Sequence, residues 1–318
     1  MNFQKNVSLS DFSNYKIGGS ARLFAEVFTV DEVKEVLGSL PNEKIFVLGG
    51  GTNLLISDQG FDGLVIHNKI EGIEREGNDF VIGSGVLIKD LLEYCIENSL
   101  SGLEWAGGLP GTIGGAVRGN AGAFKGEIKD NVVGVKSLDL PTTLTLRGTS
   151  KTLNEKERNN DECNFGYRNS IFKSGEASNE FITHVVLWLT IGDKEEIKEK
   201  IKQKIDYRNN KHPMDLPNIG STFKNIPLDL LSMNLQKEFA SFVKNDPFPI
   251  VPTAKLLALA GLKGRKIGGA MVSDKHPNFI VNLGNAKSED VEALIEIAKE
   301  AVKEKYGIIL EEEIQYLG

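Results

Sequence analysis

The chain has 318 residues, 40% hydrophobic and 25% charged, with a formal net charge of −7, the balance of an ordinary globular protein of about two domains. An acidic surface excludes general nucleic-acid binding, which needs a basic face, although a local basic pocket for an anionic substrate stays open. No apolar run reaches membrane length, residues 1–10 lack the basic-then-apolar order of a signal peptide, and Cys95 and Cys163 stand in no metal spacing. The expectation is a cytoplasmic protein with no metal and no membrane contact, in which the two thiols are either separate or paired.

In chain order, residues 23–28 read as a strand. Thr29-Val30-Asp31-Glu32 is a capping box, and Val33, Val36 and Leu37 continue a helical stripe. Residues 44–48 form a short apolar strand that runs into Gly49-Gly50-Gly51-Thr52-Asn53, followed by Leu54-Leu55-Ile56. Residues 64–67 read as a strand, and 71–75 and 80–83 flank the turn Glu76-Gly77-Asn78-Asp79 as a hairpin. An amphipathic helix spans 88–98. Strands are expected at 131–139, 142–146 and 181–191, the last buried on both faces, with a polar loop at 150–164. A charged helix covers 194–207. A loop carrying Lys211 and His212 follows, then a helical region at 228–244, a helix at 253–260 stopped by Gly261, and a strand at 279–281. Ser288 caps a long helix that ends at Gly307, and 308–317 close the chain as a strand. Strands dominate before about residue 205 and helices after it, which places a domain boundary there.

Residues 105–124 are the most unusual stretch, with seven glycines: Gly107, Gly108, Gly111, Gly114, Gly115, Gly119 and Gly122. Such a backbone either accepts a close visitor or crosses another backbone tightly. The turn at 49–53 fits an anion-binding nest, but it matches neither the dinucleotide nor the nucleoside-triphosphate glycine pattern, and a plain tight turn explains it as well. Tyr167-Arg168 beside Gly166 could hold an anion or face solvent. Ser221, in Gly220-Ser221-Thr222-Phe223-Lys224-Asn225, reads first as a turn residue. Glu311-Glu312-Glu313 read first as a charged edge strand, with Glu311 and Glu313 on one face.

Taken in order, the segments 14–21, 48–56, 105–124, 165–172, 220–225, 264–282 and 307–318 resemble the UDP-N-acetylenolpyruvoylglucosamine reductases (the MurB family). The resemblance implies an α+β chain with an FAD-binding domain of the vanillyl-alcohol-oxidase type at 1–204, in two subdomains (about 1–70 and 71–204), and a substrate-binding domain at 205–318. It also implies non-covalent FAD, with NADPH as co-substrate. By the same match Gly49, Gly50, Gly51, Thr52 and Asn53 hold the cofactor pyrophosphate. Pro110, Gly111, Thr112, Gly114, Gly115, Asn120, Ala121 and Gly122 line the rest. Arg168, Ser221 and Glu313 are the implied catalytic residues, and Tyr167, Lys211 and Asn225 the implied contacts to a UDP-sugar enolpyruvyl ether. A monomer is expected.

The implied chemistry suits these residue types. NADPH charges FAD with a hydride, which passes to C3 of the enolpyruvyl group. A fixed guanidinium at Arg168 and a protonated Glu313 can meet the charge that develops on the substrate carboxylate, and the Ser221 hydroxyl can give a proton to C2. The chain departs from the family pattern at Glu312, where proline is usual, at Gln315, where arginine is usual, and at Arg118, where an apolar residue is usual. Glu311 is the alternative to Glu313 should the register differ. Residues 226–252 are longer than the family pattern and read as an insertion. Residues 264–282 match the shorter subclass, which lacks an extra tyrosine loop.

Overall fold

A computed structural model describes residues 3–40, 43–140 and 153–318. The strand expected at 142–146 lies outside them. The chain folds into two compact units, 1–7, 21–50 and 62–205 in the first and 8–20, 51–61 and 206–318 in the second. The chain therefore changes unit between Gly50 and Gly51, inside the glycine turn.

The first unit contains two sheets. One has the strand order Gln4–Ser8, Ser20–Val27, Phe61–Asn68, Ile45–Leu48, and its last pair is parallel, with Leu48 opposite His67. The helix Val30–Ser39 begins where Thr29 caps it, Oγ1 accepting the Glu32 N–H at 3.2 Å. Its Val33, Val36 and Leu37 pack with Leu23, Val27, Leu64 and Ile66. Spacings of three and one put these three residues on one helical face, and each buried side chain contributes about 1.5–3 kcal/mol.

The second sheet has five strands in the order Glu155–Asn159, Val132–Asp139, Glu180–Trp188, Asp79–Gly83, Ile73–Glu76. The expected hairpin is present, closed at Glu76 opposite Asp79. The helices Ile88–Glu97 and Ile113–Gly119 contribute Leu91, Leu92, Ile113 and Val117 to the core against this sheet. Cys95 and Cys163 are separate buried thiols, pushed up to about 12 and about 11 by burial.

Two expectations fail in this unit. The supposed loop at 150–164 contains the edge strand Glu155–Asn159, paired antiparallel to Val132–Asp139. Its Lys156 and Arg158 turn inward onto Glu180, so two cations occupy positions where a strand normally shows apolar residues. The long strand expected at 181–191 breaks at Leu189, and Thr190–Ile191 pairs separately with Leu100–Ser101.

In the second unit the helix Ser288–Tyr306 buries Val291, Leu294, Ile295, Ala298 and Val302 and ends at Gly307, whose φ of 68° needs glycine. It packs with the strands Ala270–Val272 and Ile280–Asn282 and the helix Thr253–Leu259. Residues 8–20 belong here because the buried Tyr15 hydroxyl donates to the Ile280 carbonyl at 2.9 Å and the Asn282 amide donates to the Tyr15 carbonyl at 2.9 Å. Leu54–Ile56 belongs here because it pairs in parallel with Gln315–Leu317.

Several expected boundaries move in this unit. Ser288 is not the cap: its N–H and hydroxyl both donate to Asp58, at 2.7 and 2.9 Å, and Lys287 takes the cap position, its N–H donating to the Asp290 carboxylate at 3.0 Å. The helix begun at Lys194 runs on to Lys211, so Lys211 is helical rather than in a loop. The Lys275 ammonium donates to the Asn209 carbonyl at 2.6 Å and satisfies part of that last turn. The region 228–244 is not one helix. It splits into two 3-10 turns around Met233–Glu238, which Ser232 caps. The closing strand is only Gln315–Leu317, preceded by an isolated bridge between Glu312 and Phe223.

Candidate active site

In the first unit the glycine-rich stretch is shaped by backbone bonds. Gly111 sits at φ 108°, and its carbonyl accepts the Ile88 N–H at 2.9 Å. Thr112 caps the helix Ile113–Gly119, its Oγ1 accepting the Gly115 N–H at 3.3 Å. The Ile113 and Gly114 N–H groups donate to the Val86 and Ser84 carbonyls, each at 2.9 Å. The first-turn donors of this helix are thus all used within the protein. Gly114 has a packing reason: a Cβ there would lie 2.9 Å from the Ser84 Cβ. Gly115 is different, being exposed, with only Thr112 Oγ1 near a Cβ, at 3.4 Å. It offers bare backbone on which a flat ring could rest.

A Cβ on Gly49 would lie 2.7 Å from Thr112 Oγ1, so the two glycine stretches meet there. Among the described residues, no acceptor takes the N–H of Gly49 or Gly50. Pro110 is exposed, and Ala121 is half-buried, joined to Ala116 and Ile128 through its backbone. Asn120, expected to line a cofactor, is fully buried at φ 43° and donates to Glu127 Oε1 at 3.1 Å and to the Gly166 carbonyl at 2.8 Å.

Arg168 stands in the same unit at φ 54°, in the left-handed region that a non-glycine residue seldom occupies. Its Nη2 donates to the Gly122 carbonyl at 2.6 Å, its guanidinium carbon lies 5.1 Å from the centre of the Tyr167 ring, and its Nη1 is 4.0 Å from Glu127 Oε1. Gly122 has to be small for this, since a Cβ would lie 3.0 Å from Arg168 Nη1 and 2.8 Å from Glu127 Cγ. No motif or spacing marks Glu127 in the sequence. It lies just past the glycines, and only its register opposite Gly122 reveals it. Arg118 donates to the Phe172 carbonyl, and burial holds its guanidinium below the usual value.

In the second unit, Gly51 has φ 61°, and a Cβ on it would meet the Phe12 carbonyl oxygen at 1.9 Å. Among the described residues, no acceptor takes the N–H of Gly51, Thr52 or Asn53. The Asn53 side chain donates to the Glu313 carbonyl at 3.1 Å, and its own carbonyl accepts the Gln315 N–H at 3.0 Å. The Glu313 N–H donates to the Thr222 carbonyl at 2.9 Å, and the Lys224 N–H to the Glu311 carbonyl at 2.9 Å. Asn53, Glu313 and the turn that carries Ser221 are therefore laced together along one backbone ladder. Glu311 is exposed and paired with Lys224, whereas Glu313 is half-buried. Glu312 binds Lys299 at 2.5 Å and the Tyr316 hydroxyl, so the three glutamates are not a bare charged edge.

Asn278 fixes the loop next to Ser221: its side chain accepts the Phe223 N–H at 3.0 Å and donates to the Phe223 carbonyl at 2.8 Å. Asn225 accepts the Thr253 N–H at 3.1 Å, which leaves its NH₂ group as the part it can offer a ligand. Lys211 is exposed at its helix end. His212 and His276 stack edge to face with centroids 5.0 Å apart, and both ring pKa values fall, chiefly through burial, to about 3 and about 4. Among the described residues, no group of three or more His, Cys, Asp and Glu is placed to hold a metal ion, and no helix is long and apolar enough to cross a membrane.

Comparison with known proteins agrees with this architecture. Residues 21–147 match the family described as an FAD binding domain, and residues 212–317 match the C-terminal domain of UDP-N-acetylenolpyruvoylglucosamine reductase. The chain is 36% identical to the UDP-N-acetylenolpyruvoylglucosamine reductase of Caldicellulosiruptor bescii over 99% of this chain and 91% of the relative. It is 37% identical to that of Thermotoga petrophila over 96% of each. The crystal structure of the Thermus caldophilus reductase superposes with a TM-score of 0.75 at 29% identity, covering 100% of both chains. The fold class is α+β, an FAD-binding domain followed by a second domain, and the chain belongs to the UDP-N-acetylenolpyruvoylglucosamine reductase family.

Proposed function

We propose that this chain reduces UDP-N-acetylglucosamine enolpyruvate to UDP-N-acetylmuramate for peptidoglycan precursor synthesis, with bound FAD and with NADPH as the reductant. The observation that carries the reading is similarity to these reductases over nearly the whole chain, at 36–37% identity. The strained Arg168 and the open N–H groups of 49–53 support it independently. We assign 1–204 to the cofactor and 205–318 to the substrate, in keeping with the family matches at 21–147 and 212–317.

The residues fit FAD. Gly49, Gly50, Gly51, Thr52 and Asn53 carry N–H groups available to a pyrophosphate, and Gly115 gives a ring access to backbone. Pro110, Gly111, Ala121 and Gly122 would complete the wall. Thr112, Gly114 and Asn120 would act through the shape of the loop, because their polar groups are committed elsewhere. Bound FAD supplies the hydride.

The protein supplies charge and protons. Arg168 would meet the substrate carboxylate as negative charge grows on it, the role a preoriented guanidinium fills best. Glu313 would carry a proton to the same carboxylate, on a segment fixed by Thr222 and Asn53. Ser221 would give its hydroxyl proton to C2 and regain one from water. Tyr167, Lys211 and the Asn225 NH₂ group would hold the uridine diphosphate, a site for positive charge and hydrogen-bond donors. We place the enzyme in the cytoplasm, where its nucleotide substrates are made, and as a monomer, since one chain carries every residue named.

Visible absorbance tests the reading. NADPH should bleach the flavin band, and the enolpyruvyl substrate should restore it without oxygen. A protein that takes up no FAD, or whose bleached band the substrate leaves untouched, would sink it. Ser221→Ala should leave bleaching intact and slow recovery about a hundredfold or more, the size expected of a lost general acid. Equal loss in both steps would make Ser221 structural.

A further inference from the structure

We infer that Glu127 and Asn120 are positioning residues for Arg168, holding its guanidinium in place without neutralising it. The inference rests on the role given to Arg168 above. In the short hairpin of Gly122–Ala123 and Gly126–Glu127, Glu127 lies opposite Gly122. Opposite residues in an antiparallel pair share a face. The side chain that Gly122 lacks leaves the space where the Glu127 carboxylate and the Arg168 guanidinium approach each other.

Glu127 is 4% exposed, and a buried carboxylate needs cations. Two share it, Lys129 at 2.9 Å from Oε2 and Arg168 at 4.0 Å from Oε1. Asn120 occupies Oε1 as a neutral donor at 3.1 Å and also grips the Gly166 carbonyl at 2.8 Å. It thereby fixes both the carboxylate and the turn, closed between Gly166 and Asn169, on which Arg168 stands.

A purely architectural pair in this unit looks different. Glu180 closes on Arg158 with two bonds of 2.6 and 2.7 Å. Glu127 stands off from Arg168 by more than a hydrogen bond and gives its nearer contact to Lys129. Attraction falls with distance, so Glu127 orients the guanidinium while drawing less on its field than a directly bonded carboxylate would.

The test uses the FAD-loaded enzyme and reads its two half-reactions separately. Glu127→Gln keeps the shape and removes the charge. NADPH-driven bleaching should stay within about twofold, while substrate-driven recovery at saturating substrate slows about tenfold, a coupling of ordinary size between neighbouring groups. In an Arg168→Ala background the same substitution should slow recovery no further, and Glu127→Asp should restore part of the loss. Asn120→Ala should speed amide exchange at Gly166 and Asn169, which is readable without cofactor. Additive slowing in the Arg168→Ala background, equal loss in both half-reactions, or unchanged recovery in Glu127→Gln would overturn the inference. If Glu127→Gln folds poorly, Glu127→Asp decides by the same half-reaction criteria, and unchanged amide exchange at Gly166 and Asn169 in Asn120→Ala would overturn the role of Asn120. Arg168→Ala alone leaving recovery intact would bring down the role of Arg168, and with it this inference. Normal dependence on Arg168 with no dependence on Glu127 would bring down the inference alone.

Discussion

Besides the buried amides Asn68, Asn120 and Asn131, the first unit buries two carboxylates set against cations: Glu180 beside Arg158 and Lys156, and Glu127 between Lys129 and Arg168. Among the described residues, the second unit buries no carboxylate and relies on amides and hydroxyls. Asn278 copies a piece of strand for Phe223, Asn218 accepts the Gly220 N–H and donates to the Pro213 and Leu216 carbonyls, and Asn282 joins Tyr15 to Gly284 and Ala286. An amide matches a backbone donor and acceptor at once and carries no charge. A charge cluster gains more per bond but depends on protonation. Arg168, proposed to meet the carboxylate's developing charge, stands in the unit that buries paired charges, whereas Ser221 and Asn225 stand in the unit framed by neutral groups.

The largest effect should come from the neutral frame. Asn278→Ala strands both polar groups of Phe223 in the interior, and denaturant unfolding should show a loss of about 3 kcal/mol. A loss below about 0.5 kcal/mol would mean that water replaces the amide and that the frame is less dry than its burial suggests. Glu180→Gln should cost somewhat less, about 2 kcal/mol at pH 7, and its pH dependence is the sharper test. Burial alone would raise the Glu180 carboxyl, but hydrogen bonds from Arg158, Ser137 and Lys156 outweigh it and leave its pKa below the usual 4.5. A carboxyl whose folded value lies below its unfolded one contributes stability above the unfolded value and loses it as pH falls through the folded value. The gap between the parent and Glu180→Gln should therefore be full at pH 7 and shrink in acid below pH 4.5. A gap that widens in acid would break the contrast between the units.

The smallest effect concerns bare backbone, a device separate from charge and amide. Gly115→Ala adds a methyl group in nearly open space within a helix, so the stability of the FAD-stripped chain should rise by about 0.5–1 kcal/mol while FAD affinity falls. Unfolding and an FAD titration measure the two. Unchanged affinity would return Gly115 to a purely conformational role.

Much of this was readable from residues whose effect is local. Thr29 caps its helix, Gly307 stops another, and the turn at Gly77 closes its hairpin, because each acts through its own or adjacent backbone. The strand Glu155–Asn159 was not readable. Its sequence, Glu-Lys-Glu-Arg-Asn, carries the signature of a solvated loop, and only the distant Glu180 makes inward-facing Lys156 and Arg158 tolerable. Ser288 misled for a similar reason, since Asp58 claims its hydroxyl across 230 positions of chain. The end of the helix at Lys211 was hidden because Lys275 supports it from outside. At the candidate site the resemblance pointed to Arg168, Ser221 and Glu313, but Glu127 became visible only through strand register, which sequence spacing does not encode.

The parallel pairing of Leu54–Ile56 with Gln315–Leu317 bears on how the chain is synthesised. A nascent polypeptide emerges N-terminus first, and early segments fold as soon as their partners exist. The five-stranded sheet of the first unit has all its strands by residue 188. Residues 54–56 must instead wait until residues 315–317 have been made before their neighbour arrives, a contact of very long sequence separation and correspondingly slow closure. The turn at 49–53 is thus followed by a strand whose partner, Gln315–Leu317, is made long after the five-stranded sheet has all its strands.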